Sequence, residues 1–144
     1  MNNNLRAAIL GGVIGTTIMT TVMSATPLMG LVDIFPPVML AELLEMPVII
    51  GGMLHFVIGI VLAIVYTFLF APSIKIENLF VKGAVFGLLV FVFAQIALGR
   101  MGAIVDIEGP KVLMGMISLF ADVIFGMVVA KSIGDYTEVL NPAV

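Results

Sequence analysis

One histidine, His55, lies inside the apolar run 47–70, PVIIGGMLHFVIGIVLAIVYTFLF. An imidazole in such a setting can bridge two helices by a hydrogen bond, relay a proton, or ligate haem iron or a metal. Other polar side chains share its predicament in other apolar runs: Ser24, Gln95, Ser118 and Asp122. Each stands on a lattice of small residues at four-residue steps. Gly12, Thr16, Thr20 and Ser24 form one such row, with Gly15 beside it; Gly51, His55, Gly59 and Ala63 form a second. Gly83, Gly87, Gln95 and Gly99 form a third, and Ser118, Asp122, Gly126 and Ala130 a fourth. Residues four apart share a helix face, and small-residue faces are where apolar helices approach one another closely. The polar side chains are therefore expected to point inward, with Ser24, His55, Gln95 and Ser118 converging on Asp122 as one buried polar cluster.

The energetics sharpen the question around Asp122. At about 1.5 Å of rise per residue it falls about 15 Å into its helix. A carboxylate there costs about 2.5–3.5 kcal/mol on insertion scales, whereas an interhelical hydrogen bond returns about 0.6 kcal/mol on average and at most about 1.7. One such bond does not offset an ionised carboxylate. Asp122 is expected to carry a proton, to pair with His55, or to be wetted by a cavity.

For His55 the structural reading, a helix–helix hydrogen bond, comes first; a proton or ion path with Gln95 and Asp122 comes second, and b-type haem ligation third. One imidazole per chain supplies bis-histidine ligation only in a dimer or with a partner subunit, and a zinc site needs more ligands than this run offers. No cysteine is present, which excludes disulfides, thiolate metal sites, Fe–S clusters and covalent haem attachment. The sequence holds no P-loop, dinucleotide fingerprint, G-x-S-x-G elbow or H-E-x-x-H, so no enzyme motif supports catalysis. No cofactor and no metal site are expected. Intramembrane hydrolysis would require Ser24 or Ser118 beside His55.

These residues need elements to hold them. The 144 residues are 62% hydrophobic and only 10% charged, against about 25% charged in a soluble domain. Such a chain lacks the polar surface to cover itself in water, so its solvent is expected to be a lipid bilayer. The net charge of −3 argues against nucleic acid as a partner. Eleven methionines and ten phenylalanines read as packing material.

Spans are expected at about residues 5–26, 48–70, 79–99 and 112–131, forming one all-α domain. Between the first two, Pro36, Pro37 and Pro47 bound a helix at 38–46 that is too short for a hydrocarbon layer of about 30 Å. It should lie at the interface with Glu42 and Glu45 on one face. Residues 71–78 and 100–110 are expected as links and 134–144 as a frayed polar tail.

Arg6, Lys75, Lys82 and Lys131 flank one side of the bundle, whereas Arg100 and Lys111 flank the other with Asp33, Glu42, Glu45, Asp106 and Glu108. This bias predicts both termini in the cytoplasm. There is also an internal echo. His55-xxx-Gly59-xxx-Ala63 matches Asp122-xxx-Gly126-xxx-Ala130, Gly12, Thr16 and Ser24 fall opposite Gly83, Gly87 and Gln95, and 29–34 resembles 101–107. Two duplicated hairpins in the same orientation would produce it.

Asp33-Ile34-x-Pro36, a short Met/Leu-rich helix, and then His55-Phe56-x-Ile58-Gly59-xxx-Ala63-xx-Tyr66 resemble a family of small four-span bacterial membrane proteins of unknown function. The run from Gly12 to Ser24, G-x-x-G-T-x-x-M-T-x-x-M-S, fits the same pattern, and the resemblance extends to Gln95. It implies a four-span fold in a bacterial-type inner membrane and supplies no activity. The expected function is that of a non-catalytic accessory or assembly subunit of a larger membrane complex, with a respiratory complex the most natural home. The alternative is a homo-oligomeric channel or transporter lined by His55, Gln95 and Asp122.

Overall fold

The computed structural model describes residues 3–30, 35–100 and 110–140. The chain is all-α. Helix α1 spans Asn3–Ser24, α2 Pro36–Leu43, α3 Val48–Ser73, α4 Leu79–Arg100 and α5 Pro110–Leu140. The helical stretches Asn3–Ser24, Val48–Ser73, Leu79–Arg100 and Val112–Gly134 are long and apolar enough to cross a bilayer, which marks a membrane protein. The last helix continues to Leu140, so 134–140, expected as a frayed tail, extends it. Asp33, Ile34, Asp106, Glu108 and the repeat segment 101–107 lie outside the described residues.

Each boundary has a local cause. After α1, a 3-10 turn at Pro27–Met29 closes on Gly30, whose φ of 71° lies in the left-handed region that glycine adopts without steric cost. Pro36 and Pro37 open α2 rather than preceding it: at the first helical positions their missing N–H groups have no intrahelical role.

The helix stops by a Schellman closure, with Met46 N–H donating to Ala41 O at 2.8 Å and Glu45 N–H to Glu42 O at 3.3 Å. Glu45 takes the left-handed position at φ 52°. Glu42 and Glu45 therefore do not share a helix face as expected, because Glu45 belongs to the closure and not to the helix.

Helix α3 contains a π-helical turn at Tyr66–Phe70 and outruns its expected end by three residues. Asn78 caps α4, its Oδ1 accepting from Phe80 N–H at 3.0 Å and Val81 N–H at 3.1 Å.

In cross-section the long helices pack in the order α3, α1, α5, α4, and α2 lies on the first turns of α3. The core joins Ala63 and Tyr66 of α3, Phe86 and Val90 of α4, and Phe125 and Val129 of α5. It sits toward the end where α1 begins and α5 passes Gly134, called here the basic end because Arg6, Lys75, Lys82 and Lys131 cluster there. At the α3–α4 seam the contact is aromatic: Phe86 meets Tyr66 edge-on, with centroids 5.1 Å apart, and lies 5.1 Å from Phe70.

Candidate functional site

The small-residue lattices pair into two seams built alike. Between α1 and α3, a β-carbon added to Gly12 would lie 2.7 Å from Ile60 Cα, 3.0 Å from Gly59 O and 3.1 Å from Ala63 Cβ. Between α4 and α5, one added to Gly83 would lie 2.6 Å from Met127 Cα, 2.5 Å from Gly126 O and 2.9 Å from Ala130 Cβ. The same three atom types recur at the positions that the sequence echo equates. Each antiparallel pair is thus a close backbone contact that only glycine permits, and the two hairpins repeat one packing unit.

Along the first seam, Thr16 faces Gly59 one turn beyond Gly12. Its Oγ1 occupies the space a Gly59 side chain would fill, is buried, and has no N–H or O–H partner. Resting against the Gly59 backbone, it is placed to accept a weak Cα–H bond of the kind common at helix interfaces.

One further turn brings Thr20 to His55, with Oγ1 and Nε2 3.1 Å apart. Thr20 Oγ1 also donates to Thr16 O at 2.7 Å. A hydroxyl has one proton; with it engaged on the carbonyl, His55 Nε2–H donates to Thr20 Oγ1, which leaves Nδ1 as the ring's acceptor. His55 is 8% exposed and Asp122 7%.

The next rung would bring Ser24 to Gly51, but the inward-facing Ser24 expected from the sequence is not found. Gly51 is covered by α2: a β-carbon there would meet Pro37 O, and would lie 2.9 Å from Ala41 N. Ser24 is exposed and donates to Thr21 O at 2.9 Å. The fold-back of α2 takes the place that Ser24 would need. The hydroxyl that reaches His55 belongs to Thr20, which the sequence had marked only for packing. The two rows run antiparallel in the same four-residue step, so this pairing follows once their register is known.

Along the second seam, Asp122 follows Gly126, and its backbone carbonyl borders Gly87. The position equivalent to Thr20 is Phe91, so the seam offers Asp122 no hydroxyl. Among the described residues the Asp122 side chain makes no hydrogen bond or ion pair. Continuing the register sets Gln95 near the level of Ser118; both are half-buried.

His55 and Asp122 thus lie on different seams, with α1 between the helices that carry them, and the single converging polar cluster expected from the sequence is two separate sites. No group of three or more His, Asp or Glu residues that could hold a metal occurs among the described residues.

A polar bond at such depth has a modest value. Thr20→Val is expected to destabilise the bundle by about 0.6 kcal/mol and at most about 1.7. Equilibrium unfolding in bicelles checks this, and in the Thr20→Val background His55→Ala should lose the part of its effect that depends on the pair.

Residues 2–142 match the profile described as Family of unknown function (DUF6789). The chain belongs to this family. Comparison with curated proteins and with solved structures finds no match. Membership agrees with the resemblance to proteins of unknown function and assigns no chemistry to His55 or Asp122.

Proposed function

We propose that the chain is a non-catalytic accessory or assembly subunit of a larger membrane complex, and that it offers the far halves of α4 and α5 to a transmembrane helix of another subunit. The carrying observation is a stripe that loses its cover. On α4 the stripe is buried at Gly83, Phe86, Gly87 and Val90, yet from Phe91 to Arg100 no residue is buried. On α5 the first buried residue among those described is Ala121. Gln95 and Ser118 continue these inward stripes into the uncovered region. A partner helix there would satisfy an amide and a hydroxyl that lipid tails cannot. The excess of Lys and Arg at the other end supports placing both termini in the cytoplasm of a bacterial-type inner membrane.

A pathway through His55, Gln95 and Asp122 has less behind it. Two grooves on the described surface lie at α1–α5 and at the basic end, away from all three residues, and His55 and Asp122 do not share a seam.

A photo-crosslinking residue at Gln95 or Ser118, in cells, is expected to capture another membrane polypeptide; one at the exposed Val81 should capture none. Lipid adducts alone, together with purification in mild detergent as a lone monomer, would refute the proposal. Capture of a second copy alone would replace it with a homo-oligomer.

A further inference from the structure

We infer that the groove between α3 and α4 at the basic end holds the phosphate of one anionic phospholipid, bound by the Lys82 ammonium and the Tyr66 hydroxyl. The groove has a volume of about 300 Å³, and Tyr66, Thr67, Pro72, Leu79 and Lys82 are among its lining residues. Its origin lies in the asymmetry between the two hairpins. On α1, Gly11 and Gly15 let α5 close in, so that a β-carbon on Gly15 would lie 2.9 Å from Val129 Cγ2. The equivalent positions on α4 are Lys82 and Phe86. Their bulk, with the Phe86 ring wedged against Tyr66 and Phe70, holds α3 and α4 apart and leaves the groove open.

Two of the lining residues carry donors. Lys82 Nζ donates to Ala71 O at 3.1 Å, a carbonyl left without a helical partner because α3 ends at Ser73. That bond fixes the half-buried ammonium at the rim and engages one of its three N–H groups. Tyr66 is 2% exposed and among the residues lining the groove, and its hydroxyl has no hydrogen-bond partner among the described residues. Capping of α3 accounts for Lys82 but not for the unpaired phenol that lines the same groove; a phosphate offers acceptors to both.

The groove lies where α3 ends at Ser73 and α4 begins at Leu79, the level at which spans meet headgroups, with Leu79 and Pro72 available to the glycerol and upper acyl carbons. Basic pockets between spans on one membrane face are suited to such headgroups, and here Arg6, Lys75 and Lys131 add to the field at the same end.

Native mass spectrometry of the full chain released from phosphatidylcholine nanodiscs containing phosphatidylglycerol tests the site. The wild-type chain should retain one phosphatidylglycerol. Lys82→Gln should lower its occupancy roughly tenfold, as expected for a charge-assisted hydrogen bond, and Tyr66→Phe roughly threefold, as for a neutral one.

Lys82→Arg should keep the lipid, and Lys75→Gln, which removes only a contribution to the field, should lower retention far less than Lys82→Gln. Tyr66→Phe preserves the ring packing and so reads the hydroxyl even if Lys82→Gln disturbs the end of α3. Equal retention by Lys82→Gln and Tyr66→Phe, or an equal loss in Lys75→Gln, would overturn the site. A phosphate adduct acquired from inorganic phosphate in discs of phosphatidylcholine alone would overturn the lipid as its occupant.

Discussion

Gly126→Val is expected to separate α4 from α5 and cost more than about 3 kcal/mol, above the usual range for added methylenes in a packed core. The reason is what the new side chain would meet. Its β-carbon would collide with Gly83 O and would lie 2.6 Å from Gly87 N and 2.9 Å from Gly87 Cα. These are backbone atoms on both sides of one turn of α4, and no rotamer change removes them. Either the helices move apart along the whole seam, or the protein does not accumulate. Gly115→Val supplies the comparison on the same helix, since nothing lies within 4 Å of its added β-carbon; it should stay within about 0.5 kcal/mol of wild type. Unfolding by steric trapping in bicelles measures both. Equal stability of the two variants would show that the glycine seam is not what joins these helices.

Asp122→Ala is expected to do the reverse and ease insertion of its helix by about 2–3 kcal/mol, approaching the insertion cost of a mid-helix carboxylate, with no loss of bundle stability. The side chain is nearly fully buried, and among the described residues nothing in the chain bonds to it, so little is lost on its removal. Phe91→Thr places a hydroxyl where α1 has Thr20 and should strengthen the α4–α5 seam by at most about 1.7 kcal/mol, the range of a single interhelical bond. A loss of stability in Asp122→Ala would establish that the carboxyl does have a partner. An unpartnered carboxyl in a core breaks the local rules in the way functional sites do; on the accessory-subunit reading, Asp122→Ala should also lower the crosslinking yield from Gln95. Measuring yield and stability on the same preparation separates a lost partner from a lost fold.

The internal echo explains why part of the site was legible in the sequence. Gly12 and Gly83, Gly59 and Gly126, and Ala63 and Ala130 stand at matched spacings, and the two seams repeat those contacts atom for atom. Where a row of small residues repeats, a close helix contact follows from the absence of side chains alone. Which row meets which, and at what register, involves residues far apart along the chain. That is why Thr20 looked like packing, Ser24 looked like a member of the polar cluster around His55, and Asp122 looked as though it shared that site. Phe91, an unremarked aromatic in an apolar run, decides that Asp122 goes unpaired.

By itself the sequence determined four spans, a short helix between the first two, and the glycine faces on which the spans meet. These follow from local hydropathy, proline placement and four-residue spacing, and they depend on no distant partner. The tertiary structure decided the rest. The fold-back of α2 onto Gly51 displaced Ser24, the order of the helices placed α1 between His55 and the helix of Asp122, and Phe86 kept one seam open where Gly15 closed another. Each outcome depends on which side chains compete for the same space. That competition arises only when the helices pack.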